Sequence, residues 1–142
     1  MGLDLHSSGC GHGLHLKFYQ GLVADCVAFA KSQFYLDNKL PGADITRRTS
    51  AEQFYYATGV LPEELDTPDL PECAQHIWAW YYQLAAGRQC GMSINPLAWP
   101  QIAAWAALNR IQLREWELQA IMGIDGAYLS NFHDSQEKPK TK

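Results

Sequence analysis

The stretch HIWAWYYQLAAGRQCGMSINPLAWPQIAAW, residues 76–105, decides how this chain folds, because its apolar period is helical and its rings are too many for one helical face. It holds four of the five tryptophans, Trp78, Trp80, Trp99 and Trp105, with Tyr81 and Tyr82 between them. Cys73, Ile77, Trp80, Tyr81 and Leu84 recur at three- and four-residue spacing and align on one face of a helix predicted from Pro71 to about Gln89. Residues two apart on a helix point about 200° from one another. Trp78 and Trp80 therefore cannot share that face. If Trp80, Ile77 and Leu84 point inward, Trp78 and Tyr82 form an aromatic pair four apart, which is either a second buried flank or an exposed patch. The residues alone leave both readings open.

Downstream, CGMSINP breaks the helix, and Pro100 suits the first turn of a fourth helix ending near Asn109. IQLREWELQAIMGIDGAYLSNF supplies a fifth. Trp105 and Trp116 fall on the apolar faces of these two helices and are expected in the core. Trp99, just before Pro100, is expected to lock the helix entry as a hydrophobic staple. Upstream, Leu22, Cys26, Phe29 and Ala30 form one stripe on a helix predicted from Leu16 to near Leu36. Asp37, Asn38, Pro41 and Gly42 end it in a turn. Ser50 and Gln53 have capping-box spacing for a short second helix that Gly59 would close. VLPEELDTPDLPE, residues 60–72, carries three prolines and the acids Glu63, Glu64, Asp66, Asp69 and Glu72. It reads as a rigid, solvated connector.

No convincing period-two strand appears. The expectation is an all-α fold, a small irregular bundle of four to five helices. Residues 1–15 are expected to be a flexible Gly/His-rich N-terminus, 16–132 a single helical domain with a distinct module at 71–132, and 133–142 a disordered tail.

A chain of 142 residues, 47% hydrophobic and 18% charged, is ordinary for one domain with one core. Its net charge of −4 lacks the basic excess that neutralises phosphate, so nucleic acid is not the expected partner. No run approaches the roughly 18 apolar residues that cross a bilayer. MGLDLHSSGCGHGLH shows no secretory pattern, and His6 at position 6 fails the myristoylation signal. A soluble, cytoplasmic protein is expected. The four cysteines, Cys10, Cys26, Cys73 and Cys90, are unevenly spaced and read as free thiols, with Cys26 and Cys73 packed as small hydrophobes.

His6, Cys10, His12 and His15 offer four zinc donors within ten residues, a ligand set that tetrahedral zinc accepts. Their spacing matches none of the usual finger or knuckle patterns, so the segment reads as a glycine-rich end, and neither a metal nor another cofactor is expected. No phosphate loop, nucleophile elbow or H-E-x-x-H motif is present. His76 and His133 show no partner in the sequence. An enzyme is not expected. A helix-turn-helix DNA reader could be built from the last two helices, but the second would open with Arg114, Glu115, Trp116 and Glu117, setting two carboxylates against phosphate.

Residues 76–132 resemble the C-terminal region of tail assembly chaperones of long-tailed bacteriophages. The shared layout is a helix rich in tryptophan and leucine with an Arg-containing glycine break, here Trp78 to Gly91, then Pro96 to Trp99. A last helix follows, with Leu113, Trp116, Glu117, Ile121, Ile124 or Asp125, and Tyr128. The resemblance implies a non-enzymatic protein of the host cytoplasm that holds the tape-measure protein soluble and brings major tail protein subunits to it. On that reading Trp78 and Tyr82, with their neighbours Trp80 and Tyr81, are the partner-binding residues. Self-association stays open. The alternative is a small zinc-binding or helix-turn-helix DNA-binding regulatory protein.

Overall fold

A computed structural model describes residues 2–88 and 94–137, with side chains described for 17–88 and 94–136. Among the described residues five α-helices are present: α1 (Gly2–Leu36), α2 (Arg47–Thr58), α3 (Gln75–Ala86), α4 (Trp99–Leu108) and α5 (Glu115–Glu137). Short 3-10 turns at Glu63–Leu65 and Glu72–Ala74 interrupt the connector between α2 and α3. The fold is all-α, a small helical bundle. The described helical backbone of α1 begins at Gly2, within the segment 1–15. At the other end α5 runs to Glu137, taking in the first five residues of the segment 133–142.

Among the described side chains of α1, Leu22, Cys26, Ala30 and Phe34 form a buried row at four-residue spacing, and Leu36 is buried at the helix end. Phe29 sits beside that row, half-buried. The row packs on α5, where Trp116, Ala120, Ile121, Ile124 and Ala127 are buried. Tyr19 stacks on Trp116 at 5.6 Å and Phe34 meets Tyr128 edge-on at 5.3 Å, so the two helices run in the same direction. Their approach is closest at Gly123, where a Cβ would stand 2.7 Å from Val27 Cγ2. α3 completes the core with Ile77, Tyr81 and Leu84. α4 returns antiparallel to α3: Gln101 donates to the Gly87 carbonyl at 2.7 Å, while Trp105 donates its indole N–H to Gln83 at 3.0 Å.

The turns obey local chemistry. Leu40–Ala43 closes through Ala43 N–H to Leu40 O at 3.1 Å, with Pro41 and Gly42 at its centre and Gly42 at φ +73°, the geometry a type II turn requires. Gly59, at φ +75°, ends α2 as its spacing implied. The N-cap of α2 is Thr46, whose hydroxyl accepts from Thr49 N–H, so the helix starts earlier than Ser50 and Gln53 suggested. α4 ends in a Schellman motif with Arg110 in the left-handed region at φ +58°.

Two packing expectations are corrected. Cys73 is exposed, because the chain enters α3 through a 3-10 turn that rotates it off the face carrying Ile77. Trp99 is 66% exposed: it opens α4 as its first residue but turns outward, while Leu97 two residues earlier takes the buried place.

Candidate functional site

The sequence-predicted residues lie on three sides of α3. Tyr81 is 2% exposed and belongs to the core, at the inner wall of the groove that Tyr82 borders. Its hydroxyl donates to Asp125 Oδ1 at 2.9 Å. Trp80 is half-buried, edge-on to His76 at 4.7 Å and to Trp105 at 5.7 Å, and so wedges α3 against α4. Trp78, also half-buried, meets Phe29 at 5.0 Å and Phe34 at 5.7 Å on α1. Tyr82 is the open one, 51% exposed, and stands edge-on to Trp78 at 5.1 Å. The two open readings of the Trp78–Tyr82 pair are therefore both partly realised: the indole seals α3 to α1, and the phenol faces outward.

Each member of the pair lines a depression. Tyr82 borders a groove of about 420 Å³ with Phe34, Tyr128, Asn131 and Phe132. Trp78 borders a shallower one of about 660 Å³ with Phe29, Leu70 and Ala79, edged by Asp69, Glu72 and Gln75. Burial foremost, then the carboxylate of Asp37, raises the Tyr82 phenol above its ordinary value, against a smaller opposing pull from Arg48.

Beneath this surface lies a polar latch that local sequence patterns do not reveal. Asp125 of α5 forms an ion pair with Arg88 just past α3, and its Oδ2 accepts the Leu97 backbone N–H at 2.9 Å. Arg88 donates to the Tyr81 hydroxyl at 2.9 Å and to the Asn95 carbonyl at 2.8 Å, with its guanidinium 4.9 Å from the Tyr128 ring centroid. One carboxylate thus ties together α3, the segment before α4, and α5. Burial alone would lower the Arg88 pKa, but the hydrogen bond and charge of Asp125 outweigh it and raise the pKa. Burial, reinforced by Asp125, drives the Tyr81 phenol far above its usual range.

A second tie joins the opposite end of the bundle. Glu117 Oε2 lies 2.8 Å from His76 Nε2, while its Oε1 accepts the Arg114 backbone N–H at 2.9 Å, capping α5. Partners 41 residues apart explain why His76 seemed alone in the sequence. The geometry also bears on the DNA-reader alternative, since Trp116 and Glu117 in the first turn of α5 are buried instead of offered to a groove.

The His6, Cys10, His12 and His15 segment lies outside the described side chains, as does Cys90. Among the described residues no group of three or more His, Cys, Asp or Glu side chains could hold a metal ion, and no helix is long and apolar enough to cross a membrane. What these residues define is a helical scaffold whose buried polar groups hold elements together and whose remaining rings face outward. A family model described as phage tail assembly chaperone matches residues 55–130, more than half of the chain, and the protein belongs to that family. No curated protein and no solved structure matched the chain. The matched region contains Arg88, Leu97, Trp116, Glu117, Asp125 and Tyr128, all of them members of the ties just described or of the packing around them.

Proposed function

We propose that this protein works in the host cytoplasm as a non-enzymatic chaperone that binds the tape-measure protein, the major tail protein, or both, while the tail is built. The single observation that carries the reading is the family match over residues 55–130. The geometry supports a contact at Tyr82 and the open edge of Trp78, because each borders a depression lined in part by apolar side chains and such rings bring large contact area with little entropy to lose. Trp80 and Tyr81 act from behind, Trp80 by bracing α4 and Tyr81 by holding Asp125. No cofactor enters.

The test is co-expression with the tape-measure protein and measurement of how much of it stays soluble and co-purifies. Tyr82→Ala should weaken capture roughly tenfold, the scale of one interfacial ring, with the unfolding midpoint little changed. Trp78→Ala is a poorer probe because it also opens the α1 contact at Phe29 and Phe34. Full capture by a folded Tyr82→Ala protein would remove that groove from the proposal, and no capture by the native chain would remove the function.

A further inference from the structure

A second surface has no place in the α3 reading. Within eight residues, Phe54, Tyr55, Tyr56, Val60 and Leu61 all expose large apolar side chains, Tyr56 to 87%. α2 contributes one buried residue, Ala51, and packs chiefly on α1 and on the 3-10 turn at Glu63–Leu65. Core burial therefore does not account for five rings and aliphatic chains on so short an arm. Phe54 and Tyr56, two apart, point to opposite sides of α2, so the strip of interest is Tyr56, on the side of Glu52, with Val60 and Leu61 just beyond Gly59; exposed apolar side chains of this kind mark interaction sites.

Its charge indicates what would cover it. The exposed acids Glu52, Glu63, Glu64 and Asp66 lie on or beside α2. The nearby cations are engaged: Arg47 faces Glu64 at 3.9 Å and lies over the Tyr35 ring, and Arg48 pairs with Asp37 at 3.0 Å. Exposed charge around the rings is thus predominantly negative. A second copy of this chain would bring the same acids face to face. A strand has no sheet edge to join, since the described residues form no named strand and the only nearby ladder element is the isolated bridge Lys39–Thr46.

We infer that residues 56–61, with the acids beside them, form a docking surface for a basic amphipathic helix of a partner protein. The apolar stripe of that helix covers Tyr56 and Leu61, and its flanking lysines or arginines face Glu52, Glu63 and Asp66. The inference goes beyond the chaperone reading, as it concerns a different face and names the chemistry of the ligand.

The test uses the full chain and two labelled 18-residue helical peptides, one with a leucine stripe and lysines elsewhere, the other with glutamates replacing the lysines. Fluorescence anisotropy should show the basic peptide binding and the acidic one not. Tyr56→Ala with Leu61→Ala should weaken binding at least roughly tenfold, whereas Leu108→Ala, an equally exposed site on α4, should leave it within about twofold. Glu52→Gln, Glu63→Gln and Asp66→Asn together should flatten the salt dependence. Circular dichroism checks that each variant is folded. Equal binding of both peptides, indifference to Tyr56→Ala/Leu61→Ala, or a self-association abolished by that pair would overturn the inference. Because tape-measure capture is read separately, peptide failure with capture intact sinks this surface alone.

Discussion

The α3–α5 half and the α2 arm put the same residue types to opposite uses. Between α3 and α5, Tyr81 and Trp116 are buried, and the carboxylates of Asp125 and Glu117 are both occupied. On the α2 arm, Tyr55 and Tyr56 face outward, and Glu63 and Asp66 are exposed. The difference teaches that the same residue types build a support between α3 and α5 and stay exposed on the α2 arm, although the family match over residues 55–130 spans most of both. A buried ion pair fixes the arrangement of three chain segments, since removing either partner strands the other.

The largest way to break the comparison is Asp125→Ala. It leaves the nearly buried Arg88 guanidinium without its countercharge and the Leu97 N–H without an acceptor, so unfolding free energy should fall by about 3–5 kcal/mol. Urea denaturation measures this, and a loss under about 1 kcal/mol would show that the latch is not a support.

Next in size is an alkaline loss of stability from the core. Burial foremost, with help from Asp25, pushes the Cys26 thiol up to about 11 from 9.0. The folded state therefore prefers the neutral thiol more strongly than the unfolded chain does. That stabilisation is complete below about pH 9 and is lost as pH rises toward 11, on the order of 2–3 kcal/mol across the window. Denaturation midpoints from pH 8 to about 11 should fall, and Cys26→Ala should flatten the decline. The raised Tyr81 phenol adds a loss of the same sign at still higher pH.

The smallest effect sharpens the contrast. Tyr56→Ala with Leu61→Ala should change stability by less than about 0.5 kcal/mol, as exposed substitutions do. A thermal melt would show it. A drop of several degrees would mean that these side chains pack in the fold and are not reserved for a partner.

Much of the architecture was legible in local pattern. The stripe through Leu22, Cys26 and Ala30, the Pro41–Gly42 turn, the Gly59 stop and Pro100 near the start of α4 all follow from spacing and backbone preference. Trp105 and Trp116 pack inward as their faces implied, Trp105 partly and Trp116 fully. What was not legible depends on long-range pairing. Tyr81 and Asp125 are 44 residues apart, and only the folded chain shows that the phenol is held inward by that carboxylate. Cys73 and Trp99 were misplaced for a related reason: each sits at a helix entry, where a 3-10 turn or one backbone rotation decides the outward face and periodicity has no hold. The α2 strip escaped notice because a tyrosine pair on a short helix reads equally well as core or surface until its neighbours are known.

The most direct test of the division between support and contact is the affinity of Asp125→Asn for the tape-measure protein, measured at a temperature where the variant is fully folded. The account expects a lowered unfolding midpoint with affinity within about twofold of the native chain, since Asp125 is buried beneath the surface. An affinity loss of tenfold or more with the midpoint unchanged would contradict it, and would make the latch itself part of the binding site.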